Sequence, residues 1–178
     1  MIDCNGSPKT GTHLLVKAVR LFGSTAIMAS HNHDPDLSGS HIHIIRNPRN
    51  ALISYLRMQQ VDLLRTNIIK EMPRFIAEYS EYVNLLSRDD VLTIRFESLL
   101  TEESELLKIS KFIGLPLINN HFRKLWGQTN TFTGKLSNWR EYWSHSKVQR
   151  KWSELGGLAL ESALGYAPDT DKIEVRKP

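Results

Sequence analysis

The chain has 178 residues, enough to bury a single sizeable core, and it is read as one domain over 1–178. Lys and Arg number 23 against 19 Asp and Glu, a net charge of +4 that favours an anionic ligand but is too small an excess to imply nucleic acid. One cysteine, Cys4, rules out an internal disulfide; there is no signal-peptide pattern and no apolar run of the ~18 residues a membrane span needs, so a cytoplasmic protein is expected.

In chain order, "MIDC" predicts a brief strand running into "NGSPKTG", where Gly6 and Gly11 have the G-x-x-x-x-G spacing of a phosphate-binding loop. "THLLVKAVRLFG" then sets Leu14, Leu15, Ala18, Val19 and Phe22 on one helical face, with Gly23 as the stop. "TAIMAS" is a second strand, ending at the polar cluster "HNHDPD", and "HIHII" is a third. In "RNPRNALISYLRM", Asn47 can cap a helix, Pro48 takes its first position, and Ala51, Leu52, Tyr55 and Leu56 form its apolar face. A long helix is expected after Pro73, through "FIAEYSEYVNLL". "VLTIRF" is another buried strand, followed by a helical stretch, "ESLLTEESELLKISKFIGLP", with Thr101 and Ser104 as caps and Gly114 with Pro116 at its end. Residues 119–134 are irregular, and "SNWREYW" and "VQRKWSELGGLALESALGY" return to helix. Strands alternating with helices predict an α/β fold, a single three-layer domain with a central parallel sheet flanked by helices. Its ligand belongs at the carboxyl ends of the strands.

The opening loop is therefore in a meaningful place. A helix beginning near Thr12 turns its N–H groups and positive dipole end toward the loop, and Lys9, Thr10 and Thr12 add a cation and two hydroxyls. A plain strand-to-helix turn is the bland alternative. Two known loop chemistries fail on particular residues. Thiolate catalysis from Cys4 would need an arginine where Thr10 stands, which leaves Cys4 as a buried strand residue. A nucleoside triphosphatase would have Lys and then Ser or Thr where Thr12 and His13 stand, and a strand ending in Asp for magnesium. The strands here end at Arg46 and at Arg95, Phe96 and Glu97.

These residues resemble a known family. "SPKTGTHLL" is similar to the 5′-phosphosulfate loop of sulfotransferases that use 3′-phosphoadenosine 5′-phosphosulfate (PAPS), and "IIRNPRNALISYLRM" is similar to their 3′-phosphate motif. The second match is the more specific, with Arg46 at a strand end, the Asn47-Pro48-Arg49 turn, and Ser54 eight residues after Arg46. "TGKLSNWREYW" resembles the family's third signature, with Gly134, Lys135, Asn138 and Trp139 standing in, although Phe132 and Thr133 occupy places where the family has basic residues. The resemblance spans nearly the whole chain and implies a P-loop NTPase-like sulfotransferase fold. It implies transfer of a sulfuryl group from PAPS to a hydroxyl or amine, with release of 3′-phosphoadenosine 5′-phosphate (PAP) and no metal.

PAPS carries a 5′-phosphosulfate and a separate 3′-phosphate, and Lys9 and Arg46 supply one cation for each. The resemblance implies donor contacts at Lys9, Thr10, Gly11, Thr12, His13, Arg46, Ser54, Phe96, Phe122, Gly134 and Lys135, with Lys9 and Lys135 neutralising the leaving phosphate. Phe96 and Phe122 are equally well read as core aromatics, and Leu14 stands where relatives have an aromatic. His31, ending the second strand, takes the place of the family's general base, against the alternative of a solvated or core histidine. Metal binding by His31, His33, Asp34 and Asp36 is the weaker reading of that cluster. The expected partner is a small-molecule or glycan acceptor. Residues 57–75 and 119–133 could shape its pocket, and a homo-oligomer could complete it. A nucleotide-binding module without turnover and an ATP-dependent phosphotransferase remain as alternatives.

Overall fold

In the computed structural model, which describes residues 1–34, 39–118 and 139–166, the elements run β1 (Ile2–Asn5), α1 (Thr12–Arg20), β2 (Ile27–Ser30), β3 (Ser40–Ile45), α2 (Pro48–Met58) and α3 (Arg65–Ser80). A 3₁₀ segment over Glu81–Ser87 leads to β4 (Val91–Arg95), α4 (Phe96–Thr101) and α5 (Ser104–Ile113), and α6 (Arg140–Trp143), α7 (Ser146–Glu154) and α8 (Gly157–Ala163) follow. The chain divides into two compact units, each drawn from two separate stretches of sequence. The described residues of the first lie in 1–46 and 84–118; those of the second lie in 47–83 and 139–166.

The first unit is a four-stranded parallel sheet in the order β2-β1-β3-β4, flanked by helices. Its central strands β1 and β3 are buried almost throughout, as a parallel sheet covered by helices requires. Helix α1 packs on β1 and β2, and α5 packs on β3 and β4. The strand order turns back at β1, since the chain goes from β1 to β2 on one side and then takes β3 on the other. Such a reversal opens a crevice at the carboxyl end of β1, where the opening loop begins.

One face of this sheet carries a polar cluster at its centre. Asp3 and Asn5 lie opposite His41 and His43 in the β1–β3 register, and all four are buried. Asp3 Oδ2 accepts from Ser30 Oγ at 3.0 Å and lies 3.1 Å from His41 Nδ1, tying three strands together through one carboxylate.

The helix expected across residues 97–116 is instead two helices, because Glu102 takes an extended conformation between α4 and α5. Phe96, expected at the strand end, is the first residue of α4. Neither proposed cap acts as one. The Thr101 hydroxyl donates back to the Glu97 carbonyl, and Ser104 is already inside α5, preceded by Glu103 without a side-chain cap bond. Gly114, with φ of 69°, ends α5 as expected.

The second unit is helical. Asn47 caps α2 as its sequence predicts, its side chain accepting from the N–H groups of Arg49 and Asn50, with Pro48 in the first turn. Helix α3 starts before Pro73 rather than after it. A proline inside a helix costs about 3 kcal/mol, but Ile68, Met72, Phe75, Ile76 and Tyr79 form a continuous buried row across it, at roughly 1.5–3 kcal/mol each. The α-helix also ends earlier than expected, at Ser80, whose hydroxyl donates to the Ile76 carbonyl before the chain tightens into the 3₁₀ segment. Arg49 of α2 grips Glu161 of α8 with Nε at 2.5 Å and Nη2 at 2.8 Å, and Trp152 Nε1 donates to the same carboxylate at 2.9 Å. Around this buried pair, Trp139, Trp143 and Trp152 stack edge to face.

Candidate functional site

The loop between β1 and α1 is shaped by its backbone. A Cβ on Gly6 would collide with Thr10 Oγ1 and with Ile44 of β3, so glycine lets the loop leave the strand close against its neighbour. Lys9 and Gly11 both have positive φ, 69° and 116°. Left-handed residues placed this way curl a chain so that successive N–H groups converge into an anion-binding concavity. Thr10 closes the curl, its N–H and its hydroxyl both donating to the Ser7 carbonyl at 3.1 and 2.7 Å. Its hydroxyl proton therefore serves the loop. Thr12 Oγ1, by contrast, is buried with no hydrogen-bond partner among the described residues. Helix α1 opens on Gly11, has no side-chain cap and carries no acidic residue in its first turn. His13 is exposed on that turn.

Two cations meet at this loop. Arg46, at the end of β3, is 9% exposed; its Nη1 donates to the Lys9 carbonyl at 3.2 Å, and its guanidinium lies 4.3 Å from the centroid of the Phe96 ring. Phe96 also fills the space beside Gly11, where any Cβ would strike its ring. Phe96 thus supports both the loop and the arginine, so one face of the ring that the sequence offers for adenine carries a guanidinium here. Burial lowers the Lys9 ammonium below its ordinary range, and the Arg46 charge lowers it further. Two partly buried like charges are a cost that an anion placed between them removes.

His31 follows β2 and reaches back to the loop. Its Nδ1 lies 2.5 Å from the Gly6 carbonyl oxygen. Because a carbonyl can only accept, Nδ1 carries a proton, and Nε2 is the ring nitrogen left outside this bond. Asn5 secures the same segment. Its Oδ1 accepts from Gly6 N–H at 2.7 Å and from Asn32 N–H at 3.1 Å, while its Nδ2 donates to the Asn32 carbonyl at 2.5 Å. Sequence reasoning overlooked Asn5. Its signal was an amide side chain at the last strand position before the loop's first glycine.

The structure thus brings Lys9, Thr10, Gly11, Thr12, Arg46, Phe96 and His31 into one unit around one loop, with His13 at its edge. Ser54 is half-buried on α2 in the second unit. Phe122, Gly134 and Lys135 lie outside the described residues, as do Asp36, Asn138 and the segment 119–133. Among the described residues, no group of three or more His, Cys, Asp or Glu is placed to hold a metal ion. Cys4 is fully buried, and burial with the Asp3 charge pushes its thiol up to about 12, so it is no nucleophile.

No protein-family model matches this chain, and no curated protein matches it. Among solved structures, the crystal structure of mouse sulfotransferase SULT7A1 complexed with PAP matches with a TM-score of 0.71, at 13% sequence identity, over 93% of this chain and 88% of that one. The chain has the sulfotransferase fold. Within this sulfotransferase fold, the loop after β1, the arginine ending β3 and the histidine following β2 gather at the switch point of the sheet. No described helix is long and apolar enough to cross a membrane.

Proposed function

We propose that this protein is a PAPS-dependent sulfotransferase that moves the sulfuryl group to a hydroxyl or amine of a small-molecule or glycan acceptor and releases PAP. The observation that carries the reading is the pairing of Lys9 with Arg46 around a loop of left-handed residues. A triphosphate cradle would have its lysine after the second loop glycine, whereas here the lysine is within the loop and a second cation ends the neighbouring strand. That arrangement suits a ligand with two separate phosphates. The orphaned Thr12 hydroxyl is a further donor in want of an acceptor. Ser54, Phe122, Gly134 and Lys135 join the donor set on the resemblance alone.

In the proposed reaction a new bond forms from the acceptor oxygen or nitrogen to sulfur, while the bond from sulfur to the bridging phosphate oxygen breaks. Lys9, with the N–H groups of the loop and of the first turn of α1, neutralises the charge gathering on the departing phosphate. Arg46 holds the 3′-phosphate in the bidentate geometry that a guanidinium provides. His31 Nε2 takes the acceptor's proton, and the resulting imidazolium keeps its Nδ1–H on the Gly6 carbonyl. No side chain forms a bond to sulfur, so the proposed reaction needs no covalent intermediate. The test is incubation with sulfur-labelled PAPS and a panel of hydroxyl and amine acceptors, on wild type and His31→Ala. Labelled product from wild type, absent in the variant while PAP still binds, is the expected result. PAP binding without transfer to any acceptor would leave a binding module in place of an enzyme.

A further inference from the structure

The parallel ladder between β1 and β2 ends with Asn5 opposite Ser30. Beyond that rung the two chains part, one into the loop at Gly6 and the other through His31 to Asn32. Backbone pairing cannot hold them together here, yet both Asn32 backbone groups are engaged by the one amide of Asn5, which donates to the carbonyl and accepts from the N–H. The side chain imitates the missing rung. Its Oδ1 accepts from Gly6 N–H as well, and the carbonyl of that same glycine receives His31 Nδ1–H. Residue 6 is therefore gripped at both polar groups, by Asn5 on one and His31 on the other.

We propose that Asn5 is a positioning residue that locks His31 in the Nδ1–H tautomer against the phosphate loop, so that a basic Nε2 is held in place before any ligand arrives. The proposal rests on the reading of His31 as the proton acceptor, but its geometry stands on Asn5, Gly6, His31 and Asn32 alone. An imidazole free in water favours the opposite tautomer, with the proton on Nε2. Holding Nδ1–H on a carbonyl reverses that preference, and it also gives the imidazolium formed on proton uptake an acceptor for its second N–H. Asn5 is 1% exposed, so its amide is shielded from water although His31 and Asn32, which it positions, are exposed.

Long-range nitrogen–proton NMR on histidine-labelled protein reads the tautomer without acceptor or donor. Wild-type His31 should give the Nδ1–H pattern at pH 8, and Asn5→Asp should shift it toward Nε2–H, because the carboxylate keeps the shape but cannot donate to the Asn32 carbonyl. Asn5→Ala should do the same. Thermal unfolding and the remaining histidine signals establish that each variant is folded, and the wild-type spectrum can overturn the proposal even where neither variant folds. An Nε2–H pattern in wild type, or an unchanged Nδ1–H pattern in a folded Asn5→Asp, overturns the proposal. Calorimetric titration with PAP is run on the same samples. Failure of wild type to bind PAP would defeat the sulfotransferase reading while leaving the tautomer result to judge the clamp. Where PAP binds, slow hydrolysis of PAPS, with water as the acceptor, should fall at least tenfold in Asn5→Asp and shift its pH profile. A loss that is uniform across pH would indicate a structural role only and overturn the assignment.

Discussion

Arg46 and Arg49 stand three residues apart in one turn-forming motif, yet they belong to different units and meet opposite company. Arg49 faces a carboxylate: Glu161 takes its guanidinium bidentately, with Trp139 under the charge at 4.4 Å. Arg46 has an aromatic ring beneath it, a carbonyl beside it, and a second cation acting on the same loop. Arg49 is neutralised by a carboxylate of its own chain, whereas Arg46 lies beside a second cation, the setting that the proposed function assigns to a phosphate. The sequence writes both as arginine, and only their surroundings tell them apart.

The largest expected effect breaks the scaffold side. Arg49→Met alone leaves Glu161 buried without its counter-charge and should cost about 3–5 kcal/mol of unfolding free energy in urea, whereas pairing it with Glu161→Leu should recover most of that loss. A second effect belongs to the first unit. Burial pushes the fully buried His43 down to about 4, below its unfolded value near 6.5. The group is neutral when folded, so its stability contribution is whole above pH 6.5 and is lost as pH falls toward 4, by about 3 kcal/mol. His43→Gln should flatten that limb when urea midpoints at pH 7.5 and 4.5 are compared.

Smaller effects sharpen the ligand side. Lys9→Ala should weaken PAP binding by about 2 kcal/mol, roughly 30-fold, for the loss of one charge-assisted bond, with little change in melting temperature. Smallest is a proton linkage. A bound anion should raise Lys9 back from its lowered value, so PAP binding near pH 9 should take up protons, visible as a binding enthalpy that depends on the buffer's ionisation heat. No buffer dependence there would mean that Lys9 does not meet the phosphate.

Much of this was legible in the chain itself. The strand, loop and helix around Gly6 and Gly11, the Asn47 and Pro48 start of α2 and the glycine stops are local signals, written in residues next to one another. What could not be read depended on contacts distant in sequence. Pro73 stops a helix on local grounds, and only the buried row from Ile68 to Tyr79 overrides it. Nothing beside Arg49 in the sequence marks it as the partner of Glu161, 112 residues on. Thr101 and Ser104 have the chemistry of caps, but the break at Glu102 put them elsewhere. In the site, Lys9 was legible from the residue types and spacing of its loop, Arg46 from its strand end and the motif shared with the family, and His31 only through the family resemblance. Asn5 was not legible, because its role depends on where the chain after β2 passes.

Calorimetric titration with PAP beside 5′-AMP, on wild type and Arg46→Ala, tests the central claim most directly, since the two ligands differ by the 3′-phosphate alone. Wild type should prefer PAP by roughly 100-fold, about 3 kcal/mol for a bidentate guanidinium–phosphate contact, and the variant should bind the two ligands nearly alike. Equal binding of PAP and 5′-AMP by wild type, a preference for ATP with magnesium, or no binding of PAP would contradict the account.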